Sequence, residues 1–344
     1  MGIDNSTRLT IPPRTKTPTA GSATSLAAMR DFSFLPHGLA TVDHHDVGVA
    51  SPLESYVRLV VGPCDVVDRP RSTGVTRVIE VRDPEGRSWF GKRLHVPRQW
   101  RGETQAYRWW GFLEGRVPQL RDQQDELRAL VTAGLPGRPA DPGDAATFRR
   151  AGALLRRLHL AVPARDDGGE WLQAVRSAAQ FETARCHRLG APVDEQLVTA
   201  SLAGLAELAA VPVVPCHGDF LPHNWLVDDL GEVRTMDFAE AGWRPLAHDF
   251  ARLRFGPCWD REELYAAFVQ GYGRELTDAE NAFVTLHLAV NATTAVGWGT
   301  EHGRPLVRDR GLEVLDRLAA GKPYPARRSL FGRTPGARRR GSSS

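Results

Sequence analysis

Cys216-His217-Gly218-Asp219-Phe220-Leu221-Pro222-His223-Asn224-Trp225-Leu226-Val227, with Asp237 following, is the stretch that decides the reading of this 344-residue chain. Val213-Val214 leads in as a short apolar run. Trp225-Leu226-Val227 and Val233-Arg234-Thr235-Met236 flank Asp228-Asp229-Leu230-Gly231, the pattern of two short strands joined by an Asp/Gly turn. An antiparallel hairpin returns its ends to the same place, and paired strands lie about 5 Å apart. Asn224 and Asp237 are therefore expected side by side at the open end, with Asp219 facing them from a Gly/Pro-containing loop. Two carboxylates and an amide oxygen form a hard-oxygen set, which suits Mg²⁺ rather than zinc.

His217-Gly218-Asp219-x-x-Pro222-x-Asn224 with Asp237 resembles the aminoglycoside phosphotransferase and choline kinase group. The resemblance implies an α+β, two-lobed protein-kinase-like fold, with a small antiparallel β-sheet N-lobe and a larger, mostly helical C-lobe. It implies ATP and Mg²⁺ as cofactors, Asp219 as the catalytic residue, and Asn224 and Asp237 as metal ligands. Asp249, in His248-Asp249-Phe250-Ala251, stands where the group keeps a structural aspartate, and His217 is expected to brace the same loop.

Composition agrees with a globular enzyme: 42% of residues are hydrophobic and 25% charged. No run is long enough to span a membrane, and the N-terminus lacks an apolar signal core, so a cytoplasmic location without membrane partners is expected. Cys64, Cys186, Cys216 and Cys258 are widely spaced, against a disulfide frame or zinc site. The net charge of +3 is unevenly spread. Residues 1–30 hold Arg8, Arg14, Lys16 and Arg30 against Asp4, and residues 319–344 hold seven basic residues and no acid. The body between them is acidic, so the basic balance does not point to nucleic acid.

Residues 1–50 are rich in Thr, Pro, Ser and Gly and read as a flexible segment; Asp43-His44-His45-Asp46 there reads as a solvated polar patch rather than a metal site. Residues 51–132 read as the N-lobe, with strands at Tyr56–Val61, Val66-Val67, Val75–Val81, Ser88–Leu94 and Glu126–Thr132. Between two of them, Ser72-Thr73-Gly74 stands where the resemblance implies a loop over the nucleotide phosphates.

Lys92 is the more informative residue. The chain has only three lysines, and Lys16 and Lys322 lie in the terminal segments. A compact ammonium in a strand, in a sequence that otherwise uses arginine, suits a phosphate contact that a planar guanidinium fork does not reproduce. Gly86-x-x-x-x-Gly91-Lys92 mimics a P-loop, but Arg93 replaces the required Ser/Thr, and Trp89 and Phe90 are bulky where a phosphate nest needs small residues. The resemblance implies a helix glutamate paired with the strand lysine: Glu103 is the first candidate and Glu114 the second. It also makes residues 133–140 a hinge whose backbone, at Ala133 and Leu135, binds adenine.

Residues 141–318 read as the C-lobe and 319–344 as a basic disordered tail. Helices are expected at Asp144–Leu160, Glu170–Arg188, Glu195–Ala210, Arg261–Tyr272 and Asp278–Trp298. The last is apolar nearly all round and hence buried. His287, Asn291, Thr294 and Trp298 share one of its faces, and they either bond to neighbouring helices or line an acceptor pocket. An acidic balance over 260–318 points to an amine-bearing acceptor. The function these features predict is an ATP- and Mg²⁺-dependent transfer of phosphate to a hydroxyl of a small molecule, an antibiotic or a metabolite. The alternatives are a kinase acting on Ser/Thr of a ribosomally made peptide and a nucleotide-binding scaffold without transfer activity.

Overall fold

A computed structural model describes residues 51–68, 76–166, 168–208 and 212–321. The N-terminal segment, Ser72, Thr73 and Gly74 of the expected phosphate loop, and the chain beyond 321 lie outside these residues.

The described residues open with a helix where a strand was expected. Helix α1 (Pro52–Val61) starts at Ser51, whose hydroxyl accepts from the Glu54 backbone N–H, with Pro52 in the first turn. Leu53, Tyr56 and Val57 recur at helical spacing and are buried. The β-branched run Val57–Val61 suggested a strand, but the three-to-four-residue period and the cap prevail.

Strands β1 (Asp65–Asp68), β2 (Thr76–Arg82) and β3 (Ser88–Leu94) lead to helix α2 (Pro97–Trp110). The hairpin of β4 (Leu120–Gln124) and β5 (Ala129–Ala133) follows. The five strands form one antiparallel sheet in the order β1-β2-β3-β5-β4. The expected single strand at 126–132 is in fact the turn and second arm of that hairpin, with Arg128 at φ +47°. Lys92 sits on the central strand, opposite Val78 on one side and Leu130 on the other. Leu53, Tyr56 and Val57 of α1 pack with Ile79, Val81, Ala129 and Val131 in a small core on one sheet face.

Beyond β6 (Arg138–Pro139) come helices α3 (Ala145–His159), α4 (Gly168–Arg188) and α5 (Glu195–Glu207). Strands β7 (Val213–Cys216), β8 (Trp225–Val227), β9 (Val233–Thr235) and β10 (Gly242–Pro245) follow. Helices α6 (Ala247–Phe255), α7 (Glu262–Tyr272), α8 (Asp278–Glu301) and α9 (Pro305–Ala319) complete the described chain. Helix α8 begins with the capping box formed by Thr277 and Glu280. Helix α9 had no counterpart in the sequence reading, and it carries helix as far as Ala319, into the expected tail.

The strand pairing here positions the site. β7 pairs with β10, placing Cys216 opposite Gly242, and β8 pairs with β9, placing Trp225 opposite Thr235. Two loops, 217–224 and 236–241, are thus held side by side with both ends of each fixed. Beneath them lies an aromatic core. The His217 ring stacks on Trp110 and meets Phe220 and Phe238 edge-on, with centroids 5.3 to 6.2 Å apart. Such pairs contribute about 0.5–1.5 kcal/mol each beyond the area they bury. All four cysteines are free and buried. Among the described residues no helix is long and apolar enough to cross a membrane.

Candidate active site

The loop 217–224 owes its path to Asp249, near the start of α6. Its two carboxylate oxygens accept the backbone N–H groups of His217 (2.9 Å) and Gly218 (2.7 Å). His159, from the end of α3, lies 3.1 Å from the same carboxylate and 3.1 Å from the Tyr272 hydroxyl. His159, Cys216 and Asp249 lie close enough together to hold a metal ion, but hydrogen bonds within the protein already occupy Asp249 and His159, so the cluster is a buried brace. Burial tends to raise the Asp249 pKa; the hydrogen bond from His159 and those from the backbone outweigh it and hold the group below its ordinary value.

His217 belongs to the same scaffold. Its Nε2 lies 3.0 Å from the Thr235 hydroxyl and 3.3 Å from the Met236 carbonyl, and its Nδ1 accepts the Asp219 backbone N–H. The carbonyl can only accept, which assigns the hydrogen to Nε2. Burial pushes the imidazole pKa down, so it is neutral. Gly218 has φ +80°, and a Cβ there would collide with Arg244 Nη1 and the Glu240 carbonyl. Only glycine fits both the left-handed backbone and the close approach.

Asp219 projects from this scaffold into a set of donors. Arg252 Nη2 lies 2.6 Å from its Oδ1; His223 Nε2 (3.0 Å) and Asn224 Nδ2 (3.1 Å) lie against its Oδ2. Burial would raise the Asp219 pKa, but the Arg252 charge and the His223 hydrogen bond prevail and hold it well below the usual carboxylate range. A carboxylate offers about four lone-pair sites, so three donors leave room for one more. Asn224 Nδ2 also donates to the Asp219 carbonyl at 3.0 Å. With its NH₂ committed to two acceptors, the amide turns its oxygen the other way.

Asp237 opens the second loop at φ +66°, a conformation uncommon for a residue other than glycine. The Met236 N–H donates to the Asn224 carbonyl, so the hairpin brings Asn224 and Asp237 to its open end as the sequence suggested. Lys92 Nζ lies 2.7 Å from Asp237 Oδ1 and 2.6 Å from Glu103 Oε2. Burial alone would depress the lysine pKa, but the two carboxylates raise it, so the ammonium is retained. Glu103 is 2% exposed, whereas Glu114 lies exposed beyond the helix, which decides between the two candidates.

Helix α2 also seals the second loop. A Cβ on Gly102 would press on the carbonyls of Ala239 and Ala241. Arg98 and Gln99 hold the Glu240 carboxylate at 2.5 and 3.0 Å. The half-exposed Asp237 carboxylate and the outward-turned Asn224 oxygen make a hard-oxygen set fitted to Mg²⁺.

These residues stand in a chain with known relatives. The sequence model of the phosphotransferase enzyme family matches residues 69–283, more than half of the chain. The chain belongs to the phosphotransferase enzyme family. Members act on hydroxyl groups, and the protein-kinase-like fold is the family's own.

Solved phosphotransferase structures share this fold. The aminoglycoside phosphotransferase from Alicyclobacillus acidocaldarius is 19% identical, with a TM-score of 0.51 over 77% of this chain and 94% of that one. A spectinomycin phosphotransferase solved with ADP and spectinomycin is 15% identical, with a TM-score of 0.52 over 78% of this chain and 97% of that one. The choline kinase of Streptococcus pneumoniae is 14% identical, with a TM-score of 0.57 over 76% of this chain and 96% of that one. No curated protein sequence matches.

The structure brings Lys92, Glu103, Asp219, Asn224 and Asp237 together. Ala133 and Leu135 follow the sheet into the crossing to the helical part, with the Gly134 N–H donating to the Ser88 carbonyl. On α8, His287 meets His248 at 2.9 Å and Asn291 Nδ2 is buried without a hydrogen-bond partner; neither contacts the five residues above. The Thr294 hydroxyl donates back to the Val290 carbonyl, and Trp298 stacks on His302, about 16 Å along the helix from His287. The sequence reading missed Arg252 and His223. His223 lies inside the quoted motif, and Arg252 follows Asp249 by one helical turn on the helix that braces the loop.

Proposed function

We propose that the protein is an ATP- and Mg²⁺-dependent small-molecule kinase that moves the γ-phosphate onto an acceptor hydroxyl. The observation that carries the reading is the convergence of Lys92, from the sheet, on Asp237, from the loop beside Asp219. A buried lysine between two carboxylates, one of them half exposed, suits a nucleotide whose phosphates take over part of its coordination.

In this reading Lys92, kept in place by Glu103, grips the α- and β-phosphates. Asn224 and Asp237 would hold Mg²⁺, which would supply neutralisation of charge on the phosphates. The free lone-pair site on Asp219 receives the acceptor hydroxyl and orients its oxygen toward the γ-phosphorus. The new P–O bond forms as the bond to the β–γ bridging oxygen breaks, and the hydroxyl proton passes to Asp219. A carboxylate held this far below its ordinary pKa is a weak base, so the proton moves late and the main contribution is orientation.

The acceptor would be a hydroxylated antibiotic or a metabolite, in line with relatives named for spectinomycin and choline. The peptide acceptor has no comparable support. Incubation with ATP, Mg²⁺ and an acceptor panel, read by ADP release and by the mass of the product, tests the assignment. Tight nucleotide binding without acceptor-dependent ADP release across the panel would favour the scaffold instead.

A further inference from the structure

We propose that one end of the five-stranded sheet is a docking surface for an acidic segment of this same chain, with Arg77, Arg93 and Arg128 receiving the carboxylates of Asp43 and Asp46. The surface lies on the opposite sheet face from Lys92 and is independent of the kinase reading.

Strand pairing builds the surface. Arg77 of β2 and Arg93 of β3 are direct cross-strand partners, so their side chains leave the same face of the sheet. Ile79 and Gly91, two residues along, share that face, and α1 covers them, with Val57 and Leu53 lying against Gly91. Lys92, between Gly91 and Arg93, points to the other face, toward Glu103 and Asp237. Arg128 joins the pair from the turn between β4 and β5, because the Leu94 N–H donates to its carbonyl.

Three guanidinium groups thus meet without a counter-charge. The side chains of Arg93 and Arg128 donate to the carbonyls of Leu127 (3.2 Å) and His95 (2.9 Å). Among the described residues none of the three arginines forms an ion pair with a carboxylate. Partial burial lowers the His95 pKa, and the neighbouring charges of Arg93, Arg77 and Arg128 lower it further. Like charges directly opposite one another destabilise a strand pair. At the other end of β2, by contrast, Arg82 stands opposite Asp65.

The direction of α1 decides what reaches this surface. Its C-terminus is followed by Gly62, Pro63 and Cys64 and then by β1, whose Asp65 pairs with Arg82. That fixes the C-terminal end of α1 at the Arg82 end of the sheet. Arg77 is about 17 Å from there along β2, at about 3.4 Å per residue. A helix of 10 residues is about 15 Å long. The N-terminal end of α1 therefore lies toward the arginines, and the chain before Ser51 enters there. Asp43-His44-His45-Asp46 stands just ahead of this point, outside the described residues. The tether from Asp46 to Ser51 spans at most about 17 Å, and so short a tether keeps the two carboxylates at an effective concentration of about millimolar. Their charge complements the arginines, and a free anion competes only above that concentration.

The test uses the full-length protein and hydrogen exchange of the β2 and β3 amides, which reads the local stability of these strands. The double substitution Asp43→Asn/Asp46→Asn should lower their protection about two- to fivefold, the size found for exposed ion pairs, and the difference should shrink in about 1 M salt. Arg77→Gln then separates a covered surface from a bare one by its sign. In the wild-type chain it removes a partner of the acids and should lower protection. In the Asp43→Asn/Asp46→Asn chain it relieves the repulsion with Arg93 and should raise protection. A rise in both backgrounds, or unchanged protection in Asp43→Asn/Asp46→Asn, overturns the proposal. So does inorganic tripolyphosphate raising protection equally in the two chains, which would assign the surface to an external anion. Protection that grows with protein concentration overturns it too, since the acids would then come from a second copy.

Discussion

Arg252 and Asp219, thirty-three residues apart in sequence, form a buried ion pair at 2.6 Å between α6 and the loop after β7. The same helix holds the backbone of that loop through Asp249, so one element sets both the path of the loop and the direction of its carboxylate. Replacing Arg252 with Gln removes the charge and leaves Asp219 with His223 and Asn224. The Asp219 pKa should rise, so the acid limb of the kcat/KM profile should move to higher pH. Turnover should fall about ten- to a hundredfold through misplacement of the carboxylate. A profile measured between pH 4 and 9 checks this, and an unmoved limb would show that Arg252 serves only the fold.

Asp219→Asn keeps the shape and removes the proton acceptor. A loss of roughly 10²–10⁴ in kcat is expected, the usual range for a positioned base, with nucleotide affinity retained. Single-turnover assays alongside nucleotide binding separate the two quantities. Turnover equal to the parent would remove Asp219 from its role.

Lys92→Arg retains a positive charge but replaces a point donor with a planar fork between Glu103 and Asp237. A fall of about tenfold to a hundredfold in kcat/KM for ATP is expected from one misaligned charge-assisted contact. Lys92→Met goes further. It leaves Glu103 buried without its partner, at a stability cost of about 3 kcal/mol. Chemical denaturation of both variants checks the contrast; equal stability would mean that Glu103 has another counter-charge.

Gly218→Ala places a Cβ against Arg244 and the Glu240 carbonyl and strains a backbone at φ +80°. A loss of about 2 kcal/mol or more in stability is expected, together with loss of turnover as the loop and Arg244 move apart. A folded, fully active Gly218→Ala enzyme would contradict the packing described here.

His287 titrates in a window that can be observed. Burial, with Arg244 and Arg252 nearby, draws its pKa down to about 4 from an ordinary 6.5. The unfolded chain therefore binds the proton first, and stability falls as pH drops from about 6.5 towards 4. Between pH 7 and pH 5 this one group removes about 2 kcal/mol. His287→Gln should lose correspondingly less over that interval in urea titrations, and an identical pH dependence would refute the assignment.

Helices α3, α4, α5, α7 and α8 and the loop after β7 were legible because their signals are local, whereas α6 and α9 had no counterpart in the sequence reading. The motif from His217 to Asn224 with Asp237 fixes a hairpin, α3 carries a helical stripe behind its Asp144 cap, and α8 opens on the capping box of Thr277 and Glu280. Helix α1 was misread because Val57, Val60 and Val61 favour strands by composition, while the evidence for a helix lay in Ser51, Pro52 and the burial pattern. Arg252 and Arg244 were not legible for a different reason. In a chain with 41 arginines no single one stands out, and their roles arise from pairing across elements far apart in sequence. Lys92 was legible for the opposite reason, being almost alone of its kind.

The seating of α2 at Gly102, against the carbonyls of Ala239 and Ala241, has a mechanical consequence. The helix is riveted to the larger half, by that contact and by the grip of Arg98 and Gln99 on Glu240. In the kinase reading, a displacement of the five-stranded sheet against α2 would act first on the Lys92–Glu103 bond, because Lys92 belongs to β3 and Glu103 to the anchored helix.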